Sequence, residues 1–260
     1  MRRLKIFAKG NVDVVESLHD CRVDGRLVWN GVNDVLRARN LGALIRLRHE
    51  TSTGGRGLVH APAAEGPLAL CPQALEPFPL VMQASQEIFE SDADAIVLSI
   101  LADVAMRQHR SIQSGSYLFV NHPTLLDEAS SDWLRRTHVL ADLPTPEEAY
   151  ENLLEAITRI RAHTRSPILI YNMSPIAPGP ITHCFLGFED GIAARVRRFN
   201  LMLIELSQQT GASIVDVESV VAKAGADRVK LDVNHLTGDG NRLVAEEVVR
   251  VLEDYGLFDN

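Results

Sequence analysis

The chain has 260 residues, 46% of them hydrophobic and 23% charged, with a formal net charge of −8. That is enough apolar material for one large core, and the acidic balance argues against a nucleic-acid-binding surface. No apolar run approaches the length of a membrane span, and the run that follows Arg2-Arg3 is too short for an export signal and broken by Lys5 and Lys9.

Cys21, Cys71 and Cys184 are widely spaced and odd in number, which fits a reduced, cytoplasmic protein without a disulfide framework or zinc spacing. The first strand is expected over residues 4–8, closed by Lys9-Gly10, with a helix over about 12–19, a turn at Asp24-Gly25 and a short helix over 32–39. Residues 43–48 read as the second strand, ending in the turn-rich Thr51-Ser52-Thr53-Gly54-Gly55. A helix over 79–90 and a β-branched strand over 95–100 follow, and residues 117–120 read as a short extra strand or part of an insertion. Thr145-Pro146-Glu147-Glu148 is a helix start: Thr145 caps, Pro146 takes the first position, and Glu148 completes a capping box for a helix to about residue 163. A strand over 167–171, a loop over 172–187, a helix over 192–209 stopped by Gly211, a strand over 213–217 and a final helix over 240–255 complete the chain.

Apolar strands separated by helices imply a parallel sheet covered on both faces. The expectation is a single three-layer α/β/α domain over 1–260, flavodoxin-like, with a central parallel sheet of about five strands. The least periodic segment, about 106–144, is the expected cap or insertion. Ligands of such sheets bind beyond the carboxyl ends of the strands. The cleft should therefore be walled by the loops after Gly10, Arg48, Ile100 and Tyr171, with Asn172 contributing to the last.

The most chemical stretch is Leu231-Asp232-Val233-Asn234-His235-Leu236-Thr237-Gly238-Asp239-Gly240. A carboxylate three residues before a histidine on a tight loop can hold one imidazole nitrogen and leave the other facing a cleft, which is the base half of a nucleophile–His–Asp device. Upstream lie Arg198-Phe199-Asn200 and Gly211-Ala212-Ser213-Ile214-Val215-Asp216-Val217, and downstream Val244-Ala245-Glu246-Glu247-Val248. With Asp232 and His235, this pattern resembles the SGNH (GDSL-like) hydrolase superfamily. The resemblance implies Asp232 as the acid and His235 as the base of a triad.

The same resemblance puts the family's Gly-Asp-Ser nucleophile turn at Gly10-Asn11-Val12-Asp13, where Val12 stands in the serine position and Asp13 follows. It makes Gly54 or Gly55 the source of a backbone oxyanion donor, and it places Asp103 where the family has an asparagine. A carboxylate there would repel a developing oxyanion that an amide would stabilise.

Each position also has an ordinary reading. Asn11 or Asp13 can cap the helix after the first strand. Alternatively Asp13 acts as a carboxylate nucleophile or orients water for His235, and Asn11 donates its amide to a substrate oxygen. Asp103 is a loop carboxylate or cap, or else crowds Asp13 so that one of the two stays protonated as a general acid. Lys9, Arg46, Arg48, His49 and Arg56, with Arg107, His109 and Arg110, form either a solvated rim or a set of guanidinium forks for an anionic ligand. His122 and His183 sit in loops near prolines and are candidates to line the cleft.

Three functions follow as expectations. The first is a divergent hydrolase or acyl-transfer enzyme acting on an ester- or amide-like bond of an anionic or acylated small molecule, with water or Asp13 replacing serine. The second is an SGNH-like pseudoenzyme that binds a small metabolite. The third is an acid/base lyase or isomerase. None calls for a cofactor, a metal, nucleic acid or a membrane.

Overall fold

A computed structural model describes residues 2–23, 26–63, 71–176, 178 and 191–259. The strands are β1 (Arg2–Gly10), β2 (Asp20–Val23), β3 (Arg26–Asn30), β4 (Ala43–Thr51), β5 (Ala95–Ser99), β6 (His109–Ser111), β7 (Tyr117–Leu118), β8 (His138–Leu140), β9 (Ile168–Tyr171) and β10 (Ser213–Val215). Five of them form the central sheet in the order β10-β9-β5-β1-β4, every neighbouring pair parallel. β5 is buried along its whole length, as an inner strand covered on both faces must be.

Alternation along β1 divides the core in two. Leu4, Ile6 and Ala8 face one layer, with Val14 and Leu18 of the helix Val12–Leu18 and Val244 and Val248 of the helix Gly238–Asp254. Phe7 faces the other layer, with Leu153 and Ile157 of the helix Pro146–Arg161 and Val196 and Phe199 of the helix Ile192–Thr210. The expected α/β/α sandwich with a five-stranded parallel sheet is therefore present.

Local signals behave as the sequence suggests where they are strong. Thr145 caps its helix by accepting from Glu148 N, and Gly211 stops the helix Ile192–Thr210 in the left-handed conformation, φ 71°. The Glu148 side chain, however, does not complete the capping box; it pairs with Arg56.

The helix expected over 79–90 is broken into Leu80–Ala84 and a 3₁₀ turn at Glu87–Glu90. Ser85 accounts for the break. Its carbonyl accepts from Lys9 Nζ at 3.0 Å and its hydroxyl donates to Glu50 Oε1 at 3.0 Å, which holds it in an extended conformation. The strand expected over 213–217 ends at Val215, because Asp216 caps a further helix, Val217–Ala224, by accepting from Ser219 N. The β2/β3 hairpin has no counterpart among the expected elements; the turn expected at Asp24-Gly25 lies outside the described residues. The segment 106–144 builds a separate antiparallel sheet, β7-β6-β8, and the helix Glu128–Thr137. Leu118, Val120 and Leu134 of this segment pack against Cys71, Ala74, Leu75 and Leu80 in a small core of their own.

Candidate active site

The first half of the site is the turn that ends β1. A Cβ on Gly10 would lie 2.4 Å from Val14 Cγ2, so only glycine lets the strand run directly into the helix Val12–Leu18. Val12 opens that helix half-buried and packs against the core layer that contains Phe7. Asp13 is fixed by its surroundings. Its Oδ1 accepts from Asn11 N at 3.2 Å and Val14 N at 2.9 Å, and its Oδ2 accepts from Ser99 Oγ. Burial pushes its carboxyl above the usual carboxylate range, against the pull of these hydrogen bonds. Asn11 is buried, with its Oδ1 accepting from Ser52 N at 3.3 Å and its Nδ2 against Met106 Sδ at 3.5 Å.

The second half is a tight loop between Val229 and Thr237. Lys230 and Leu236 form an antiparallel bridge, Leu231 N donates to His235 O at 2.9 Å, and Thr237 N donates to Val229 O at 2.9 Å. Thr237 then caps the last helix by accepting from Gly240 N at 3.2 Å. A Cβ on Gly240 would sit 2.3 Å from the Val229 carbonyl oxygen, so this close approach also requires glycine.

Within the loop, Asp232 Oδ1 accepts from Asn234 N at 2.7 Å and His235 N at 2.8 Å. The His235 ring Nδ1 lies 2.9 Å from Oδ1 and 2.8 Å from Oδ2. Partial burial pushes the Asp232 carboxyl up, but the two amides and the imidazole more than offset it and hold it below its ordinary value. An ionised carboxylate only accepts, so Nδ1 donates to it. The His235 side chain is 43% exposed.

The two halves come together. The helices Val12–Leu18 and Gly238–Asp254 pack against each other. Asp13 shares a cleft of about 30 Å³ with Tyr171, Lys230, Val233 and Asn234, a space of about one water molecule. Glu16 stands in the field of His235, Asp232 and Asp13 and hydrogen-bonds Asn241; burial raises its carboxyl above the usual range.

Glu16 and Lys230 were not singled out from the sequence. A signal for Glu16 existed, since carboxylates at i and i+3 share a helix face. Lys230 reads as an ordinary lysine next to an acidic loop.

Other expected site residues lie elsewhere or are already occupied. Asp103 is 1% exposed and turns away from Asp13; its Oδ1 and Oδ2 accept from Gly55 N at 2.9 and 3.1 Å, and Arg56 and Arg195 stand near it. Burial raises it to about 7. It clips a loop and does not crowd Asp13. The two amides offered as oxyanion donors are consumed, Gly55 N by Asp103 and Gly54 N by Ser52 Oγ at 3.0 Å. Gly54 has φ 90°, and a Cβ there would meet Asp103 Oδ1 at 2.6 Å. Asn172 does border the cleft, but its amide is spent on Asp216 Oδ1 at 2.9 Å and Glu218 N at 3.1 Å.

Arg48 lies on the face of Phe7, away from the helices that carry Glu16 and Asn241. It spans Glu50 and Glu87, stacks on the Phe7 ring, and borders a groove of about 590 Å³, larger than the cleft at Asp13. Three more of the basic set are paired inside the protein. Lys9 is buried against Glu50, Arg56 is buried against Glu148, and His49 Nε2 meets Gly10 O at 3.1 Å. His122 sits at the surface beside Ala74, and His183 lies outside the described residues. Among the described residues, no group of three or more His, Cys, Asp or Glu side chains is placed to hold a metal ion, and no helix is long and apolar enough to cross a membrane.

No family model matches the sequence, and no curated protein matches it. Solved structures do. The chain is similar to an acetyl xylan esterase, AlAXEase, at 11% identity and a TM-score of 0.51, covering 96% of this chain and 100% of the other. It is similar to a protein from Parabacteroides merdae described as a GDSL-like lipase, at 14% identity and a TM-score of 0.51, covering 98% and 97%. It also resembles LAE5, an alpha/beta hydrolase enzyme from the metagenome of Lake Arreo, Spain, at 15% identity and a TM-score of 0.50, covering 99% and 97%. The chain therefore has the SGNH-hydrolase-like fold. At these identities the agreement is one of backbone architecture.

Proposed function

We propose that the protein is a hydrolase of this fold that activates water in place of a serine, acting on an ester-like bond of a small molecule. The observation that carries this reading is the Asp232–His235 pair. Its Nδ1 is held by the carboxylate, its side chain is 43% exposed, and Val233 and Asn234 of the same loop line the cleft that contains Asp13.

Water delivers its oxygen to the acyl carbon while Nε2 takes the proton. The resulting imidazolium is stabilised by Asp232. Collapse of the tetrahedral intermediate expels the alcohol oxygen, which recovers the proton from Nε2, leaving a carboxylic acid and an alcohol. Asp13 orients the water.

The test is hydrolysis of p-nitrophenyl acetate and butyrate by the wild type, His235→Ala and Asp13→Asn. Both variants should lose about 10²-fold or more, the usual worth of a positioned general base. Wild-type turnover that survives His235→Ala would remove the proposed base. The esterase among the fold neighbours makes acyl esters the first panel to try.

A second reading is favoured by a separate set of observations. Val12 has no nucleophilic atom, and the Gly54 and Gly55 amides are already spent. These fit a binding protein that keeps the cleft without turnover. Silence across an acyl panel, together with a ligand-induced rise in melting temperature, would select it.

A further inference from the structure

Lys230 is a lysine buried where an apolar residue would fill the space at lower cost. It is 5% exposed, and its ammonium donates to Val233 O at 3.0 Å and Ser174 O at 3.2 Å. Val233 lies between Asp232 and His235, at the tip of the loop. Ser174 lies just past the end of β9, on a different element. Both residues line the cleft that contains Asp13. One ammonium thus cross-links the two walls of the candidate site.

The titratable groups around it are Asp232 from its own loop, with Asp13 and the Tyr171 hydroxyl in the same cleft. Burial lowers the lysine to about 8, against the pull of Asp232, so keeping a cation here opposes folding. A side chain that costs stability and ties a histidine loop in place is better explained by the site than by the core.

We propose that Lys230 is a positioning residue: its ammonium fastens the tip of the Asp232–His235 loop to the segment after β9 and so fixes where the imidazole stands. The proposal rests on the reading of His235 as the base. Loop position matters to such a base because a displacement of about 1 Å can cost about 10²-fold in rate. Hydrogen bonds from a charged donor are also roughly twice as strong as neutral ones, so a neutral isostere will not hold the loop as well.

The test uses full-length Lys230→Met and Lys230→Gln. Amide hydrogen exchange over residues 231–236 should quicken by about ten-fold or more while β1, β5 and β9 keep their protection. On p-nitrophenyl acetate, kcat should fall by about 10- to 100-fold with KM within about two-fold. The melting temperature of Lys230→Met near neutral pH should equal or exceed that of the wild type.

Unchanged exchange over 231–236 would overturn the proposal. So would a lowered melting temperature with exchange quickened through β9 and the last helix, since that is the mark of a residue that merely holds the fold. If the wild type shows no turnover at all, the hydrolase reading fails, and the exchange arm still decides whether the clamp exists.

Discussion

The sharpest quantitative prediction concerns Asp103. Its carboxyl is buried, accepts two bonds from Gly55 N, and is raised from an ordinary 3.8 to about 7. A raised carboxyl binds its proton more tightly in the folded state than in the unfolded chain. Its stabilising contribution is therefore complete below about pH 4 and is lost as pH rises toward and through 7. At about 1.4 kcal/mol for each pH unit of displacement, the loss over that window is about 4 kcal/mol.

Asp103→Asn keeps an acceptor for Gly55 N but cannot ionise. Urea unfolding of wild type and variant at about pH 4, 5, 6, 7 and 8 isolates the residue, because every other titrating group cancels in the difference. The variant should gain on the wild type steadily with pH, by about 3–4 kcal/mol in all. Parallel curves would refute the reasoning and would mean that Arg56 and Arg195 keep Asp103 ionised throughout.

Three further predictions follow from buried partners and close contacts. Lys9→Met takes the buried ammonium from Glu50, which keeps Arg48 at 3.4 Å and the Ser85 hydroxyl at 3.0 Å, and should cost about 1.5–3 kcal/mol, whereas Lys9→Met with Glu50→Leu should recover most of it; equal losses in single and double variants would contradict this. Ser17→Ala should destabilise more than Tyr171→Phe, because the fully buried Tyr171 hydroxyl bonds Ser17 Oγ while Ser17 also donates to Asp13 O. About 1–3 kcal/mol is expected for the first and about 1 kcal/mol for the second, by thermal denaturation. Gly240→Ala drives a methyl group into the Val229 carbonyl and should cost about 1–3 kcal/mol, with accelerated exchange at residues 229–237; an unperturbed loop would show that the approach is looser than described.

The strands of the central sheet were legible because each carries a short apolar or alternating apolar run set between helical patterns. The helix ends with strong chemistry, Thr145 and Gly211, were legible for the same local reason. What escaped depended on contacts across the chain. Ser85 reads as an ordinary helical serine until Lys9 and Glu50 are seen to hold it.

At the site, the Asp232–His235 pair was legible because its geometry is closed within four residues. Asp103 was not. Its neighbour in sequence gives no sign that Gly55 supplies an amide from 48 residues away. That Arg48 lies on the face of Phe7 was not legible, because strand alternation fixes which side chains share a face but not which layer that face meets. Glu16 became visible only when the first and last helices were packed together, and Lys230 only when its loop met the segment after β9.

One consequence of this arrangement concerns synthesis. The cleft is assembled from residues far apart in the sequence, among them Asp13, Leu101, Tyr171 and Asn234. β1 can pair with β4 soon after both leave the ribosome, yet the cleft is complete only once the loop around residues 230–236 has been made. A prematurely terminated product would thus keep the early strands of the sheet and lack one side of the cleft.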